Sequence, residues 1–430
     1  MIEEIARKAR RASILTASLT TESKNQALEV VAEALWTNKK AIIEANEADL
    51  AQAEQDAISP VLLKRLKFDA AKLESAVEGV RSLIELEDPV GQTLDCTEMD
   101  KGLELYKVSC PIGVLGIVFE SRPDALVQIS SLALKSGNTV LLKGGTEATN
   151  TNRILADIIA KAGIQAGLPE GWMALMETRA DVKAMLELDE YIDLVIPRGS
   201  NQFVKFIMDH TRIPVLGHAD GICHVYIDSD ADMEMAERIA FDSKCQYAAV
   251  CNAMETLLVA KSVAGEFLPR IKRKYDSVQV EIHGDEESRR IIDCRAAQDE
   301  DWITEYNDLI VSVKVVADLE EAINHINRYG SHHTDAIVTS SDKHAKRFFD
   351  LVDSANVFRN CSTRFSDGFR YGLGAEVGIS TNKIHARGPV GLEGLATYKW
   401  KLVGQGQIVA DYAGTGGRAF THRKLEKKFQ

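Results

Sequence analysis

The feature that most constrains the fold is a repeated unit of apolar strand, short turn and helix. The unit begins at Pro111 to Glu120, PIGVLGIVFE, a nearly continuous apolar run of the kind that is buried on both faces of a parallel sheet. Similar runs follow at Asn138 to Lys143, around Trp172 to Leu175 and at Ile192 to Ile196. Regular alternation of such strands with helices predicts a doubly wound α/β sheet.

The turns after these strands carry the first candidate binding residues. Gly144 and Gly145 follow Lys143, and Pro197 to Ser200 follow the fourth strand. Ligands of doubly wound sheets bind outside the carboxyl ends of the strands, so Lys143 and Arg198 to Ser200 are expected where a dinucleotide would bind. No G-x-G-x-x-G follows a predicted strand, which counts against an ordinary Rossmann dehydrogenase.

A candidate nucleophile, Cys251, lies in the segment Ser243 to Val259, SKCQYAAVCNAMETLLV, where small residues flank the thiol on both sides. The run Thr256 to Val259 behind it predicts a strand that holds the thiol rigidly. Any single cysteine is more often a small buried hydrophobe than a nucleophile. The position of Cys251 alone therefore does not decide its role.

The regions outside the repeated units have simpler patterns. Residues 1 to about 90 have apolar positions at helical spacing and almost no glycine, which predicts a helical region. Thr93 to Cys110 alternates weakly, as in an exposed hairpin arm, and Ala396 to Val409 has the same character and could pair with it. Because an exposed edge strand must be covered, we expect a homo-oligomer, a dimer or larger.

The segment Ile213 to Asp228, IPVLGHADGICHVYID, predicts a strand, a polar turn that contains His218, and a second strand. A helix then leads to the strand behind Cys251. Strand and helix patterns continue through Val311 to Val316 and Ala336 to Thr339. This part of the chain is therefore predicted to form a second α/β layer.

Composition limits the partners and the compartment. The chain has 430 residues, enough for two or three domains, and a formal net charge of −13, which argues against nucleic acid or an anionic membrane as partner. No apolar run approaches the ~18 residues of a membrane span. Seven cysteines without paired spacing predict reduced thiols in the cytoplasm, and the lack of C-x-x-C and H-E-x-x-H motifs predicts no metal site.

Several separated blocks of the sequence resemble one family. The segment Val316 to Ile337 is similar to that family's signature, and so are Phe119 to Pro123, Gly372 to Gly391 and the Met-Glu-Thr that follows Cys251. On these blocks the whole chain resembles the glutamate-5-semialdehyde dehydrogenases (γ-glutamyl phosphate reductases), a branch of the aldehyde dehydrogenase superfamily. Superfamily members bind their cofactor without a G-x-G-x-x-G motif, so its absence agrees with the resemblance.

The resemblance implies an aldehyde dehydrogenase-like α/β fold with three parts. Residues 1–92 and 111–228 are expected to form a Rossmann-like cofactor-binding domain, and residues 229–389 an α/β catalytic domain. Residues 93–110 and 390–430 are expected to form a small β oligomerisation arm and a C-terminal tail.

The resemblance also implies a reaction, the NADPH-dependent reduction of L-glutamyl 5-phosphate to L-glutamate 5-semialdehyde and phosphate, a step of proline biosynthesis. An acyl phosphate has a good leaving group, so the Cys251 thiolate would attack it, expel phosphate and form a thioester that hydride reduces. The backbone N–H of Cys251 is the family's usual donor to the oxyanion.

The cofactor residues follow from the same resemblance. Lys143 matches the superfamily lysine that binds the adenosine ribose hydroxyls, and it could meet a 2′-phosphate. Glu305 matches the acid that holds the nicotinamide ribose. Gly199 and Ser200, which open a helix, would lie near the diphosphate or nicotinamide end of NADPH.

The substrate residues are assigned less directly. Arg122 and Arg364 are the candidates for the glutamyl carboxylate and the phosphate, because guanidinium groups bind such anions; a structural salt bridge is the alternative for each. Glu120 lies in the same loop as Arg122 and is assigned to the substrate site with it. By order along the chain, His218 takes the place of the water-activating glutamate of hydrolytic relatives. We expect it to orient groups or to protonate the leaving phosphate or the semialdehyde oxygen, unless it only bonds the backbone of its turn.

Three other functions stay open at this point. One is a non-phosphorylating aldehyde dehydrogenase that hydrolyses its thioester, a second is a thiol acyltransferase or hydrolase that uses Cys251 and a histidine without nicotinamide, and a third is a non-catalytic scaffold. For the reductase, a transient contact with the glutamate 5-kinase that makes the unstable acyl phosphate is also open.

Overall fold

Parallel sheets form the framework of the protein, which is described by a computed structural model covering residues 2–58, 60–120, 122–199, 201–217 and 220–429. Its α-helices within those ranges, in chain order, are α1 Ile2–Thr16, α2 Thr21–Thr37, α3 Lys39–Gln55, α4 Pro60–Leu66, α5 Ala70–Glu85, α6 Pro123–Lys135, α7 Thr149–Gln165, α8 Arg179–Leu186, α9 Asn201–Asp209, α10 Met233–Cys245, α11 Lys261–Ser277, α12 Glu286–Ile291, α13 Leu319–Tyr329 and α14 Asp342–Leu351.

From β3 to β10 the strands within the same ranges alternate with the helices. In chain order they are β1 Thr93–Asp100, β2 Leu103–Pro111, β3 Val114–Phe119, β4 Thr139–Lys143, β5 Met173–Met176, β6 Leu194–Arg198, β7 Cys223–Ile227, β8 Met254–Ala260, β9 Glu281–Gly284, β10 Arg295–Ala296, β11 Ile310–Val316, β12 Thr334–Val338, β13 Asn356–Arg359, β14 Gly378–Ser380, β15 Gly388–Val390, β16 Ala396–Val403 and β17 Arg423–Lys424.

The chain divides into two compact units. The first unit consists of Met1–Gly199, Phe206–Val215 and Gly391–Gln430. The second unit consists of Ser200–Lys205 and Leu216–Val390. Each unit has its own main parallel sheet.

In the first unit, four parallel strands form a sheet in the order β5-β4-β3-β6. Every residue of β3 and β4 is buried, as the apolar runs predicted. Helices α1, α6 and α7 pack against this sheet, and α2, α3 and α5 pack on α6 and α7. The predicted strand and turn units of this region and the helical N-terminal region are thus confirmed.

The first unit also carries the predicted arm. Strands β1 and β2 form an antiparallel hairpin, and β16 pairs antiparallel with β2 from Ala396 opposite Pro111 to Val403 opposite Glu104. Strand β17 pairs with β1 and completes the order β16-β2-β1-β17. Tyr398, Trp400 and Leu402 of β16 are exposed. The predicted pairing between the arm and the C-terminal segment is therefore present.

In the second unit, seven parallel strands form a sheet in the order β10-β9-β11-β8-β7-β12-β13. Apolar residues of α10 and α11, such as Ala236 and Phe267, pack on one face. Apolar residues of α13 and α14, such as Ile323 and Phe348, pack on the other face. The sheet is covered on both sides, which explains why β7 and β8 are buried along their whole length.

One predicted strand is wrong. Within the described part of the segment Ile213 to Asp228, no strand forms before β7, and Val215 makes only a single parallel bridge to Val195. Pro214 has no N–H to donate to a ladder, although its carbonyl accepts a hydrogen bond from the Val195 N–H at 2.9 Å. None of the helices within the described ranges has the length and apolar character needed to cross a membrane.

Candidate active site

Cys251 lies in the turn between α10 and β8, at the amino end of a central strand. All seven residues of β8 are buried, and β8 pairs with β7 on one side and with β11 on the other. The turn is therefore anchored at both ends by rigid elements, as the sequence predicted. Cys251 itself is half-buried, so a substrate can reach its thiol.

The backbone of Cys251 packs tightly against the residues that lead into β7. A Cβ atom built on Gly221 would lie 2.3 Å from the carbonyl oxygen of Cys251. The Cys223 thiol donates a hydrogen bond to that same oxygen, with a sulfur–oxygen distance of 3.2 Å. Sequence reasoning missed both contacts, because only a glycine in a predicted turn and one of seven cysteines were visible there.

Arg364 is the cation that the structure brings into the neighbourhood of Cys251. It lies in a short 3-10 turn, Thr363–Phe365, and is only 8% exposed. Its Nε donates to Oε1 of Gln246, in the turn that carries Cys251, at 3.0 Å. Burial lowers the pKa of the Arg364 guanidinium most, and the positive charge of Arg370 lowers it further. A buried guanidinium that is bonded to Gln246, in the turn that carries Cys251, suits a site for an anionic substrate.

Asn252, the residue after Cys251, links the turn to the segment that contains Ser366. Its Nδ2 donates to the carbonyl oxygen of Ser366 at 2.7 Å, and its side chain is buried. Its Oδ1 is buried and accepts no hydrogen bond from the described part of the chain. Sequence reasoning missed this contact, which joins segments more than a hundred residues apart.

Glu305 lies in the second unit, in the loop that precedes β11. Its carboxylate accepts a hydrogen bond from Nδ2 of Asn201, and the same amide group donates to Oδ1 of Asp220 at 2.9 Å. The acid is thus held in place by the first residue of α9. Asn201 was not singled out from the sequence.

A buried ion pair lies at the base of the Cys251 turn. Nζ of Lys244, in the last turn of α10, donates to Oε2 of Glu255, the second residue of β8, at 2.6 Å. Both side chains are fully buried. Burial is the largest influence on Glu255, and it raises the pKa of that carboxyl to about 7 despite the opposing effect of Lys244.

The candidate residues of the first unit lie at the carboxyl edge of its parallel sheet. Lys143 is the last residue of β4, is buried, and its Nζ donates to the carbonyl oxygen of Gly144. Gly199 follows directly after β6. Two other candidates, Ser200 and His218, lie outside the described residues.

Glu120 and Arg122 follow β3 at the same edge of the first unit. The backbone N–H of Glu120 donates to the carbonyl oxygen of Arg198 at 3.1 Å, which joins the ends of β3 and β6. The side chain of Arg122 is about half exposed, and its Nη2 donates to Oδ2 of Asp124 at 2.7 Å. Arg122 therefore already has an acidic partner in its own turn.

The fold agrees with what comparisons with known proteins show. A family model described as the aldehyde dehydrogenase family matches residues 1–308. Over its full length the chain is 62% identical to a protein named gamma-glutamyl phosphate reductase from Pelotomaculum thermopropionicum, of which 98% is covered. It is 61% identical to a protein of the same name from Acetivibrio thermocellus, again over the full chain and over 99% of that protein.

Solved structures give the same result. A crystal structure of gamma-glutamyl phosphate reductase from Thermotoga maritima has a TM-score of 0.93 and 40% sequence identity, and covers 95% of this chain and 99% of that one. The chain belongs to the aldehyde dehydrogenase family. Within that family, its resemblance to the γ-glutamyl phosphate reductases is confirmed, and so is the predicted aldehyde dehydrogenase-like α/β fold.

This fold implies a nicotinamide cofactor, and the donor set of the chain suits one. In the first unit, the ammonium group of Lys143 lies at the carboxyl edge of a doubly wound sheet, where such sheets bind dinucleotides. In the second unit, the carboxylate of Glu305 is of the type that accepts hydrogen bonds from ribose hydroxyls. Buried Asn152, on α7, has an Oδ1 atom without a hydrogen bond from the described residues, close to Gly144.

Proposed function

We propose that this protein reduces L-glutamyl 5-phosphate to L-glutamate 5-semialdehyde and phosphate, with NADPH as the reductant and through a thioester on Cys251. This is a step of proline biosynthesis. The observation that carries the proposal is a half-buried thiol in a turn whose Gln246 binds a buried arginine, in a chain 62% identical along its whole length to a gamma-glutamyl phosphate reductase.

The chain's own residues account for the formation of the thioester. The Cys251 thiolate attacks the acyl carbon, the bond between that carbon and the phosphate oxygen breaks, and phosphate leaves with the electron pair. The backbone N–H of Cys251 donates to the oxyanion of the tetrahedral intermediate. Arg364 is assigned to an anionic group of the substrate, because it is a buried guanidinium bonded to Gln246, in the turn that carries the thiol.

Four residues are assigned to the cofactor. Lys143 binds the adenosine ribose hydroxyls and the 2′-phosphate that distinguishes NADPH, and Gly199 and Ser200 contact the diphosphate or nicotinamide end. Glu305, held by Asn201, binds the nicotinamide ribose. When bound, NADPH supplies the hydride that reduces the thioester carbon.

His218 is assigned to proton transfer or orientation. A reductase must protect its thioester from water, since hydrolysis would release the acyl group as free glutamate. His218 therefore protonates the leaving phosphate or the semialdehyde oxygen, or orients the groups that react, and does not activate water.

Glu120 and Arg122 are the remaining residues assigned to the substrate. Arg122 leaves Asp124 when substrate binds.

The protein is organised as a cofactor-binding domain of residues 1–92 and 111–228, a catalytic domain of residues 229–389, and a homo-oligomerisation arm formed by residues 93–110 and 390–430. Apolar residues of β16 are exposed, as a surface that a second subunit covers would be. The compartment is the cytoplasm, and glutamate 5-kinase is a transient partner.

The test is the reverse reaction, followed by NADPH absorbance from semialdehyde and NADP with and without inorganic phosphate. We expect steady NADPH formation with phosphate or arsenate. Without either, only about one NADPH per site should appear, because the thioester then has no acceptor.

The other functions give different results in this assay or in an NADPH binding titration. Steady NADPH formation without phosphate, together with free glutamate, would identify a hydrolytic aldehyde dehydrogenase. No change in intrinsic fluorescence or absorbance on adding NADPH would indicate a thiol acyltransferase or a non-catalytic scaffold.

A further inference from the structure

The ion pair between Lys244 and Glu255 closes the chain segment that contains the nucleophile. The two residues are 11 positions apart, and Cys251 lies between them. Lys244 lies in the last turn of α10 and Glu255 is the second residue of β8, so the pair joins the two rigid elements that flank the turn. A change in this contact would alter the path of every residue in the turn.

The same pair borders the segment that carries Glu305. Nζ of Lys244 lies 5.9 Å from the centre of the Tyr306 ring. The backbone N–H of Asn307 favours the ionised form of Glu255, and the negative charge of Glu305 opposes it. Asn307 has a φ of 54°, a left-handed conformation that is uncommon for residues other than glycine.

Stability alone is a weak reason for this pair. Burying two charges costs free energy that their attraction only partly returns, and an apolar pair of similar volume is often at least as stable. Oε1 of Glu255 is also buried and accepts no geometrically good hydrogen bond from the described residues. The pair joins α10 to β8 and holds the Lys244 ammonium 5.9 Å from the centre of the Tyr306 ring. An apolar pair cannot reproduce this charge-dependent arrangement, which suggests a role in the reaction.

We propose that Lys244 and Glu255 are positioning residues, which hold the turn carrying Cys251 and the segment carrying Glu305 in the geometry that the reaction needs. The part that concerns Glu305 rests on the role given to that residue under Proposed function. The part that concerns the Cys251 turn needs only the geometry of the second unit.

The test compares Glu255→Gln, Glu255→Asp and the double variant Lys244→Met/Glu255→Leu with the wild-type full-length protein. Lys24→Met is the matched control, because Lys24 and Asp88 form an equally buried ion pair, 2.5 Å apart, in the first unit. Hydrogen exchange of peptides covering residues 246–253 and 305–307 is measured by mass spectrometry without ligands. The dissociation constant of NADPH is measured by fluorescence. The values of kcat and KM are measured from NADPH formation in the reverse direction.

In Glu255→Gln we expect amide exchange about tenfold faster in both segments, since a local opening becomes less costly. We expect kcat to fall about 10- to 100-fold while KM for the semialdehyde changes less than about threefold, because misplacement of reacting groups affects the chemical step most. NADPH should bind several-fold more weakly. Lys24→Met should leave exchange in both segments and the kcat of the folded protein within about twofold of wild type.

If Glu255→Gln does not fold, the double variant still tests the proposal. The double variant removes both charges and therefore leaves no unpaired charge buried. Fast exchange and low kcat in a stable double variant support positioning. Amide exchange and kcat equal to those of the wild type in the double variant would overturn the proposal. The two charges would then neutralise each other without positioning either segment. Absence of phosphate-dependent activity in the wild type would refute the proposed function, whereas the exchange data would still decide whether the pair holds the two segments.

Discussion

Gly221 and Cys251 are in direct backbone contact: a Cβ atom built on Gly221 would lie 2.5 Å from the Cα of Cys251. Carbon atoms that are not bonded do not approach so closely, so any side chain at position 221 must displace the backbone of the nucleophile. The contact is made with backbone atoms, which cannot rotate away as a flexible side chain can.

The substitution Gly221→Ala should therefore lower kcat by about 100-fold or more, because a displacement of about 1 Å at the reacting group can cost this much. Steady-state kinetics and the thermal midpoint of unfolding are the measurements. Gly265→Ala is the control, since a Cβ at Gly265 meets no atom within 4 Å. Equal activity in the two variants would mean that the Cys251 turn tolerates displacement.

The substitution Cys251→Ser should abolish turnover and leave NADPH binding nearly unchanged. A hydroxyl is a much weaker nucleophile than a thiolate near neutral pH. Turnover is measured in both directions, and NADPH binding by fluorescence. Cys110→Ser, in the arm, should behave as wild type. Substantial activity of Cys251→Ser would be incompatible with a covalent mechanism at this residue.

The substitution Lys143→Ala should raise KM for NADPH more than KM for the acyl phosphate. Loss of one charge-assisted hydrogen bond costs about 1.5–3 kcal/mol, or roughly 10- to 150-fold in affinity. Lys161→Ala is a suitable control, because Lys161 is paired with Asp157 on the exposed side of α7. An unchanged KM for NADPH would show that the adenosine moiety binds elsewhere.

Arg364→Met should raise KM for the acyl phosphate and for the semialdehyde by about 10- to 100-fold, because one charge-assisted contact to the substrate is lost. Arg364→Lys should still raise KM, but by less than Arg364→Met, since an ammonium keeps the charge but lacks the two-pronged geometry of a guanidinium. Arg347→Met, which removes a surface ion pair with Glu320, controls for loss of an arginine. If Arg364→Met affected only the unfolding midpoint, Arg364 would be structural.

Asp228, which follows β7, should make the free energy of unfolding depend on pH in the acidic range. Burial raises the pKa of Asp228, but hydrogen bonds from His344, Thr339 and the Ser229 N–H outweigh it and hold the pKa below its ordinary value. A carboxyl with a lower pKa when folded stabilises the protein above the pKa of the unfolded chain, about 3.9, and loses this effect as the pH falls through the folded value.

Asp228→Asn should therefore lower the free energy of unfolding by about 1–3 kcal/mol at pH 7, and by less below about pH 4. Urea unfolding at several pH values measures the difference. Asp350→Asn, on the surface of α14, is the control and should have little effect. A difference that stayed constant down to pH 3 would rule out the ionised carboxyl as its source.

The strands of both units could be predicted because burial on two faces requires apolar runs, as in β3, β4 and β8. The position of Cys251 before a rigid strand followed from the same rule. The first predicted strand of the segment Ile213 to Asp228 failed because Pro214 interrupts a ladder, a signal that the sequence contained.

The contacts around the nucleophile could not be predicted in the same way. Cys223 meets Cys251 across 28 positions and Asn252 meets Ser366 across 114 positions, and no periodicity encodes such pairs. Glu255 is different, because a charged residue in the mostly apolar strand Met254–Ala260 is visible in the sequence. Such a residue must find a buried partner, although the sequence does not say which one.

The pairing of β16 with β2 has a consequence for synthesis on the ribosome. The residues of the second unit from Leu216 to Val390 lie between these strands in the chain, so they leave the ribosome before β16 does. At about 5–20 residues per second, the roughly 290 residues between the ends of β2 and β16 take about 15–60 s to make. During that time the edge of β2 is unpaired in the nascent chain, and a chain that stops before Ala396 retains it permanently.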